Sequence, residues 1–592
     1  MGSHGRARVL GTSLAVLALC ACDSSGGDSD VDTDIDTDTD TDADCADGEA
    51  SCLADARTLR TCVQGSWQDM DCLAETGGYC EAGTCKDRWL LGDPQWSDCP
   101  GVDHATPESL ADKAAHYDRL VRETHVHPRH QLMVAVRIAD GTNETAATYQ
   151  DVTRWHTGEN DGLWTGAYLA SQAFRYAVTR GTAQGEEALD NIRTVLQGNE
   201  RQMAITGVPG LYTREYRTPD IDGMSCPEDI SSYRRDPEKD DNRWLQIRDD
   251  GCVWLANEEG TEWVQSEHCG YPAELHDYCW LDNVSQDEYS GHFLAMGAIW
   301  KLVDDADLKA RVVALAEQAV AHLIKNDLTY VDWDGRTTEH GRLYALAGDD
   351  TPGFNAMLAL SWVKVGAALT GRADFDDFYH RCLLQRDGPD ECQPQAMGLL
   401  KPYTEWLDTT LLHVSSTSCK NNWNNFNMFY MALFNLLWFE TDPAVLEAVW
   451  AYLEPSFFDP EDNERPLSEQ KNSFFNFIYA AMKDQGPESS GPAYSEVEDA
   501  VCTLKQFPAS QAPFDADTTT DEYPHDCDSR LDHSMTAEVI PIYLRCPGSF
   551  AWTRNPYSRK ICTADPTLLN TPGDYLLAYW MGRYFGFIGE AL

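Results

Sequence analysis

Long amphipathic stretches fill the chain from about residue 101 to its last residue. Hydrophobic side chains recur there every three or four positions, which is the spacing that places them on one face of an α-helix. In the stretch 162–179, for example, Leu163, Ala170 and Phe174 share such a face. The pattern predicts helices over 162–179, 186–205, 287–303, 307–324, 354–369, 405–414, 426–439, 443–453, 474–482 and 575–587.

The helices predicted in this way are numerous and closely spaced. Roughly twelve helices in about 490 residues, most of them paired by short links, are what a toroid of α/α hairpins needs, whereas an ordinary four-helix bundle is far shorter. Alternating, strand-like runs are few, and 328–333 is the clearest of them. We therefore predict that 101–592 forms a mainly α domain, an (α/α)6-type toroid.

The N-terminal 22 residues have the features of a bacterial lipoprotein signal. A basic start and a short apolar run lead into a Leu-Cys-Ala-Cys sequence at 19–22, which resembles a lipobox. Since a small residue is expected immediately before the lipidated cysteine, Ala21 favours Cys22 over Cys20. We predict a signal peptide over 1–22, lipidation at Cys22 and a lipid anchor in the cell envelope, on the outer membrane, the cell surface or the periplasmic face. A plain secretory signal is the alternative.

Two distinct segments separate this signal from the helical domain. The first, 23–44, is nearly a pure Asp-Thr repeat, which we predict to be a disordered linker because dense like charge leaves nothing to bury. The second, 45–86, is too small to be stabilised by apolar burial alone, and we predict a disulfide-rich module there, serving as a spacer or a binding module. It carries Cys45, Cys52, Cys62, Cys72, Cys80 and Cys85.

A further twelve of the 20 cysteines lie between residue 99 and the end of the chain. An even number of cysteines in an exported protein favours disulfides, because the compartment is oxidising. Short separations along the chain suggest that Cys382 pairs with Cys392 and Cys269 with Cys279. The spacing alone leaves the complete pairing open.

Acidic residues outnumber basic ones by 97 to 45, which gives a formal net charge of −52. Such a charge argues against a nucleic-acid partner, whose phosphates require a basic surface, and against docking onto anionic lipids by charge. The sequence contains no GxSxG motif, phosphate-binding loop or dinucleotide fingerprint, and we predict no cofactor. His125, His127 and His130 form a metal-like cluster, but without an HExxH motif an exposed histidine cluster is favoured over a metal site.

The links between the predicted helices are rich in Trp, Tyr, Asn, Asp, Glu and His, whereas solvating loops favour Ser, Lys and Gly. In a ring of hairpins, the links at one end surround a single mouth. Aromatic side chains there can stack on sugar faces, and polar ones can bond to hydroxyl and carboxylate groups. We therefore predict a polysaccharide or oligosaccharide partner, bound by Arg154, Trp155, His156, Asn160, Trp164, Trp333, Trp423 and Arg554.

Four segments of the domain resemble an exported bacterial family of six-hairpin toroids, namely 160–164, 205–210, 287–292 and 579–584. The resemblance spans most of 106–592. That family is similar in architecture to glycoside hydrolases and to enzymes that act on uronic acids, and it has no firmly assigned activity. The resemblance therefore implies the toroid fold more than any particular reaction.

Hydrolysis of a glycosidic bond needs two carboxyl groups, one to donate a proton and one to activate water or to attack. The predicted catalytic carboxylates, each at a helix edge among aromatic residues, are Asp161, Asp287, Glu288 and Glu339. Adjacent positions on a helix point about 100° apart, so we expect Asp161 to pair with Asp287 or with Glu288. Helix capping is the alternative role for Asp161 and Asp287.

A lyase would instead need a base and a cation that neutralises a uronate. Tyr289 and His292, three positions apart on one helical face, are the predicted catalytic residues, and His156 and Arg154 could assist them. A core histidine is the alternative for His292. The sequence thus favours a glycoside hydrolase, with a uronate polysaccharide lyase or epimerase as the first alternative and a non-catalytic glycan-binding lipoprotein as the second.

Overall fold

The computed structural model describes residues 45–46, 48–52, 58–71, 79–81, 84–86, 108–235, 242–345, 352–385, 392, 401–409, 423–458, 466–483, 494–524, 535–536, 538–548 and 550–589. The signal peptide, Cys22 and the Asp-Thr linker that the sequence predicts lie outside these ranges. The described residues divide into two compact units, a small one formed by the residues up to 49 together with 62–68, and a large one formed by the others.

Short strands make up the described part of the cysteine-rich segment. They are β1 (Ala50–Cys52), β2 (Thr58–Val63), β3 (Ser66–Asp71), β4 (Tyr79–Glu81) and β5 (Thr84–Lys86). β1 runs antiparallel to β2, and β4 runs antiparallel to β5. A disulfide joins Cys45 to Cys62, which confirms the prediction that disulfides form in this segment.

Twelve α-helices form the framework of the described large unit. Six of them form an inner ring, namely α2 (Asp161–Thr179), α4 (Gln286–Leu302), α6 (Pro352–Thr370), α8 (Trp423–Phe439), α10 (Ser473–Met482) and α12 (Gly573–Tyr584). The outer helices are α1 (Leu110–Leu120), α3 (Ala183–Ala204), α5 (Ala306–Lys325), α7 (Ala373–Phe378), α9 (Pro443–Phe458) and α11 (Tyr494–Gln506).

Contacts between the helices close the ring. α2 packs on α4, α4 on α6, α6 on α8, α8 on α10, α10 on α12, and α12 again on α2. Outer helices lie against this ring, with α1 on α12, α3 on α2, α5 on α4, α7 on α6 and α11 on α10. The protein therefore has the mainly α fold that the sequence predicts, an (α/α)6-type toroid.

The inner helices are apolar on nearly every side because neighbouring helices surround them. Their close packing depends on small residues where α2 meets α4. A Cβ atom added at Gly166 would lie 2.2 Å from the carbonyl oxygen of Gly291, so a side chain has no room there. The start of α4 is fixed by a capping box, in which Ser285 accepts from the helix backbone and Glu288 accepts from the Ser285 N–H.

Strands contribute more to this domain than the sequence pattern predicts. A five-stranded antiparallel sheet, ordered β11-β10-β9-β12-β8, lies between α3 and α4 along the chain. Its members are β8 (Glu215–Arg217), β9 (Trp244–Ile247), β10 (Cys252–Ala256), β11 (Trp263–Cys269) and β12 (Cys279–Leu281). Smaller sheets contain β6 (Ala135–Ile138), β7 (Val152–His156), β13 (Thr329–Val331), β14 (Thr337–Arg342), β15 (Ala516–Asp517), β16 (Ile561–Cys562) and β17 (Leu568–Leu569).

Two sequence predictions are tested directly by these elements. The strand-like run 328–333 is confirmed as β13, which pairs antiparallel with β14. The α-helix predicted over 405–414 is wrong in its described part, where Tyr403–Thr409 forms a 3-10 helix. The remainder of that predicted helix, 410–414, lies outside the described residues.

The prediction of an exposed histidine cluster is wrong as well. His125 and His130 are fully buried. The Nδ1 atom of His125 lies 2.9 Å from the Val134 carbonyl oxygen, and that of His130 lies 3.1 Å from the Thr218 hydroxyl. These two side chains therefore belong to the core. Over the described ranges, no group of three or more His, Cys, Asp or Glu side chains has the arrangement of a metal site, and no helix is both long and apolar enough to cross a membrane.

Disulfides in the large unit partly match the expected pairs. The prediction for Cys382 with Cys392 is confirmed, whereas that for Cys269 with Cys279 is wrong. Cys269 faces Cys252 on the adjacent strand, while two strands lie between Cys269 on β11 and Cys279 on β12. The pairs whose two cysteines both lie within the described ranges of this unit are Cys226–Cys279, Cys252–Cys269, Cys382–Cys392 and Cys546–Cys562.

Candidate functional site

A cavity of about 560 Å³ lies at the end of the toroid where α2, α8 and α12 begin. Its lining comes from 156–164, from the first residue of α8 and from the segment 544–560, together with a few neighbouring positions. Six of the site residues predicted from the sequence line it, namely His156, Asn160, Asp161, Trp164, Trp423 and Arg554.

The N-terminal ends of several inner helices meet at this end of the ring. Gln286, the first residue of α4, donates from its side chain to Asn355 of α6 at 3.1 Å. Asp287 of α4 accepts a hydrogen bond from Asn424 of α8. Since the N-terminus of a helix carries unpaired N–H groups and a partial positive charge, this end of the toroid is suited to polar and anionic groups.

Asp161 is the first residue of α2 and is the buried carboxylate of the cavity, with only 4% of its surface exposed. Its Oδ2 accepts a hydrogen bond from the Gly158 N–H at 2.9 Å. Burial raises the pKa of Asp161 well above its usual value, and repulsion from Glu215 and Glu288 adds to this effect. The Gly158 N–H and Arg217 act in the opposite direction. A carboxyl group in such surroundings keeps its proton to a higher pH than an exposed one, which suits a general acid.

Two further buried carboxyl groups, Glu288 and Glu215, lie close enough to Asp161 for their charges to raise its pKa. Glu288 accepts from the Ser285 N–H at 2.9 Å, and its other oxygen lies 3.2 Å from the amide of Asn160. Burial raises the pKa of Glu288 to about 8. Glu215, which the sequence did not suggest, accepts from Arg217 at 3.1 Å, and burial raises its pKa too. Neither Glu288 nor Glu215 lines the cavity, so their effect on a bound ligand would pass through Asp161 and Asn160.

The other two predicted carboxylates lie away from the cavity lining. Asp287 accepts from the Ser285 hydroxyl at 2.6 Å as well as from Asn424, so it fixes the start of α4 to α8. Glu339 lies on β14 with 49% of its side chain exposed, 3.9 Å from the ring of His340. The second carboxylate that does line the cavity is Glu159, which pairs with Arg214 at 3.3 Å.

The predicted Tyr289 and His292 share one face of α4, and that face points into the core. The Tyr289 hydroxyl donates to the Gly210 carbonyl at 2.8 Å and accepts from the Tyr212 N–H at 3.1 Å. His292 stacks on Tyr212 with ring centroids 4.0 Å apart, and burial lowers the pKa of His292 to about 3. Neither residue is part of the cavity lining.

Three of the predicted binding residues also lie outside the cavity lining. Arg154 is exposed on β7, and Trp155 is buried with its ring 5.3 Å from that of His127. Trp333 packs under the guanidinium of Arg243 at 5.1 Å and supports the β13–β14 hairpin. His156, the next residue of β7, does reach the cavity, and burial lowers its pKa.

Aromatic rings form part of the cavity wall. Trp164 stacks on Phe550, with ring centroids 4.9 Å apart and planes at 17°. The indole N–H of Trp423 donates to Gln470 at 3.2 Å, which fixes the orientation of that ring. Flat aromatic surfaces held in this way suit the apolar faces of sugar rings.

Three basic side chains line the same cavity, and the sequence suggested only Arg554 among them. Arg545 donates to the carbonyl oxygens of Ile540 and Gln470, both at 2.8 Å. Burial lowers the pKa of Arg545 to about 10 and also lowers that of Arg554. Lys560 is exposed, and partial burial and the charge of Arg554 lower its pKa. Their segments are joined by the disulfide Cys546–Cys562.

No protein-family model matches this sequence, and no curated protein does. Among solved structures, a metagenome-derived glycoside hydrolase family 9 endoglucanase is similar at 13% identity and a TM-score of 0.34, over 81% of each chain. A cellulase of C. cellulolyticum is similar at 11% identity and a TM-score of 0.34, over 81% of this chain and 99% of that one. A glycoside hydrolase family 76 mannosidase from Bacteroides thetaiotaomicron follows at 9% identity and a TM-score of 0.22, over 67% and 98%. At these TM-scores the superpositions are loose, and the fold assignment rests on the helix contacts.

Proposed function

We propose that this protein is a glycoside hydrolase that acts on polysaccharide in the cavity at the mouth of the toroid. The observation that carries the proposal is Asp161, a buried carboxyl group with a raised pKa in the wall of a 560 Å³ cavity that also has aromatic walls. Such a carboxyl group can donate its proton to the glycosidic oxygen as the bond to the leaving sugar breaks.

Glu159 is the proposed second carboxylate. It lines the cavity, and its ion pair with Arg214 suits the ionised form that must activate water or attack the sugar. Glu288 has a positioning role, because it contacts Asn160 and because its ionisation and that of Asp161 oppose each other. Trp164, which is partly exposed and packs on the buried Phe550, would hold a sugar ring against these groups.

A uronate lyase is the second candidate, and one observation favours it. His156 and Arg554 line the same cavity, and the Nε2 atom of His156 has no hydrogen-bond partner among the described residues. A neutral imidazole could abstract a proton next to a carboxylate that Arg554 neutralises. Hydrolysis is preferred because it uses the carboxyl group of Asp161, whose pKa is raised, as the general acid.

We also propose that the protein works outside the cytoplasm, tethered through a lipid on Cys22. The signal sequence over 1–22 and the Asp-Thr linker over 23–44 support this location. The disulfides of the large unit are consistent with an oxidising compartment. Metabolic labelling with a fatty acid would test it, since the Cys22→Ala variant should lose the label and the Cys20→Ala variant should keep it.

The reaction is tested by incubating the chain from residue 23 onward with a panel of neutral and acidic polysaccharides. Each digest is read both for new reducing ends and for the absorbance of unsaturated uronate. The hydrolase proposal predicts new reducing ends without that absorbance. Unsaturated products would instead establish the lyase, and binding without any cleavage across the panel would establish a glycan-binding protein.

A further inference from the structure

We propose that the cavity takes a sugar that carries an anionic group, a carboxylate or a sulfate ester, held by Arg554, Lys560 and Arg545. This inference rests on the proposed function in so far as it places a glycan in the same cavity. It goes further by naming the charge of that glycan, which the hydrolysis chemistry itself leaves open.

The first observation is that these three cations have no carboxylate partner. Among the described residues, no carboxylate oxygen lies within 4.0 Å of a side-chain nitrogen of Arg545, Arg554 or Lys560. Many other arginines of the domain do form ion pairs, and Arg243, for example, pairs with Asp282 at 2.9 Å. In a chain with 97 acidic and 45 basic residues, three unpaired cations around one cavity are a specific arrangement.

The second observation concerns Asp574, the carboxyl group whose charge most affects Arg554. One oxygen of Asp574 accepts from the Ala551 N–H at 2.7 Å, and the other accepts from the Tyr575 N–H at 2.8 Å. Both carboxylate oxygens of Asp574 therefore already accept hydrogen bonds from backbone N–H groups. The charge of Arg554 is left for a ligand, and a guanidinium can bind a carboxylate or a sulfate through two parallel hydrogen bonds.

The third observation is that the protein makes room for the Arg554 side chain. A Cβ atom added at Gly548 would lie 1.3 Å from the Nη2 atom of Arg554, so the guanidinium rests directly on the Gly548 backbone. Cys546 lines the cavity and joins Cys562, which connects the chain beside Arg545 to the chain beside Lys560. The backbone that carries the cations is therefore cross-linked, and ordering the Arg554 guanidinium costs little side-chain entropy on binding.

The chemistry of the cavity is consistent with an acidic sugar. Arg545, Arg554 and Lys560 come from one stretch of the chain, whereas Glu159 and Asp161 come from another. A glycan whose acidic substituent contacts the cations would keep its neutral glycosidic oxygen free for Asp161. Partly desolvated cations bind an anion more strongly than exposed ones, because the local dielectric constant is lower.

The test is a binding titration by calorimetry on the chain from residue 23 onward, with Asp161→Asn introduced so that no cleavage occurs. The probes are tetragalacturonate, its carboxyl-reduced counterpart, a sulfated galactan tetrasaccharide and its desulfated counterpart. We expect one of the two acidic probes to bind at least about tenfold more tightly than its neutral counterpart, a difference that is readily measured. Tighter binding of tetragalacturonate than of its carboxyl-reduced counterpart would identify the anionic group as a carboxylate. Tighter binding of the sulfated galactan than of its desulfated counterpart would identify it as a sulfate ester.

Charge variants assign the effect to these residues. Lys560→Gln, at an exposed position where folding is not at risk, and Arg554→Gln should each weaken binding of the preferred acidic probe by about tenfold and leave the neutral probe within about twofold. Gly548→Ala should also weaken binding of the preferred acidic probe, because the added methyl group displaces the Arg554 guanidinium without removing its charge. Arg372→Gln makes the same charge change on the exposed link between α6 and α7 and should have no effect.

Equal binding of each acidic probe and its neutral counterpart would overturn the inference, as would the absence of binding by both acidic probes at about 1 mM. An equal effect of Arg372→Gln and Lys560→Gln would overturn it too. Cleavage of neutral glycans without charge preference would leave the proposed hydrolase intact while removing this inference. Charge-dependent binding without cleavage of any glycan in the panel would support this inference and contradict the proposed hydrolase.

Discussion

Trp164 stacks on Phe550 with ring centroids 4.9 Å apart, which joins the first turn of α2 to the segment that precedes α12. The two rings are separated by almost 400 residues along the chain, and both line the cavity. A stacked pair of this kind adds directional contact energy to the area that it buries. The cavity wall is therefore a product of ring closure, because α2 and α12 are neighbours only in the closed toroid.

Replacing Trp164 with Ala should weaken binding of the preferred oligosaccharide by about tenfold, or about 1.4 kcal/mol. The physical reason is the loss of a flat apolar surface that contacts the sugar and supports Phe550. The matched control is Trp300→Ala, which removes a half-buried indole that packs on Phe439 at 5.9 Å, away from the cavity lining. Calorimetric titration should show unchanged affinity in the control, and an equal loss in both variants would contradict the assigned role.

Glu288→Gln should change how stability depends on pH. Burial raises the pKa of Glu288 from 4.5 to about 8, so the folded state prefers the protonated carboxyl group that the unfolded chain loses near pH 4.5. The contribution of this group is complete below pH 4.5 and is lost as the pH rises through 8. The Gln variant is neutral throughout, so its free energy of unfolding should rise relative to the native chain by a few kcal/mol between about pH 5 and pH 9.

Urea unfolding at a series of pH values measures this difference. The control is Glu258→Gln at an exposed position of the β10–β11 hairpin, where no such relative rise is expected. If the free energy of unfolding of the native chain and of Glu288→Gln changed with pH in parallel, ionisation of Glu288 would not affect stability, and the prediction would be wrong.

Removing the disulfide Cys546–Cys562 should reduce both stability and glycan affinity. The two cysteines are 16 residues apart, and cross-links that close loops of this size contribute about 3 kcal/mol. Cys252–Cys269, with a separation of 17, is a matched control on the β10–β11 pair. Double Cys→Ser variants of each should lose similar stability in thermal unfolding. Weaker glycan binding should follow only the first, and native affinity in both variants would rule out a role for this disulfide in the cavity wall.

Gly166→Ala should destabilise the toroid by about 3 kcal/mol, because the added Cβ meets the backbone of Gly291 and backbone cannot move aside cheaply. Ala170→Gly, one turn further along α2, is the comparison, and the lower helix propensity of glycine should cost about 1 kcal/mol there. Urea denaturation measures the free energy of unfolding of both variants. If Gly166→Ala were the milder change, the close approach of α2 and α4 would not govern the stability of the ring.

The sequence pattern was sufficient for nine of the twelve described α-helices and for part of the cavity, but it missed α1, α7 and α11. Asp161 and Trp164 could be found because they begin a strongly amphipathic helix after a link rich in aromatic and polar residues. Tyr289 and His292 were correctly placed on one face of a helix. Helical spacing says only that two residues share a face, and the direction of that face is set by packing against Tyr212.

The cations were harder to foresee. Arg545 and Lys560 lie in the long segment between α11 and α12, which has no regular hydrophobic period. Their positions follow from contacts distant in the sequence, such as the bond from Arg545 to the Gln470 carbonyl, and from the disulfide Cys546–Cys562. The five-stranded sheet was missed for a related reason, since strands of three to seven residues carry too few positions to show alternation clearly.

The most direct test of the proposed chemistry is the turnover rate of Asp161→Asn on whichever glycan the native chain cleaves. Asp307→Asn is the control, because it makes the same change in the exposed first turn of α5. We predict that kcat falls by about 10³-fold in Asp161→Asn, as expected for loss of a general acid, while Asp307→Asn stays within about twofold of the native rate. A folded Asp161→Asn variant that turns over at the native rate would contradict the account.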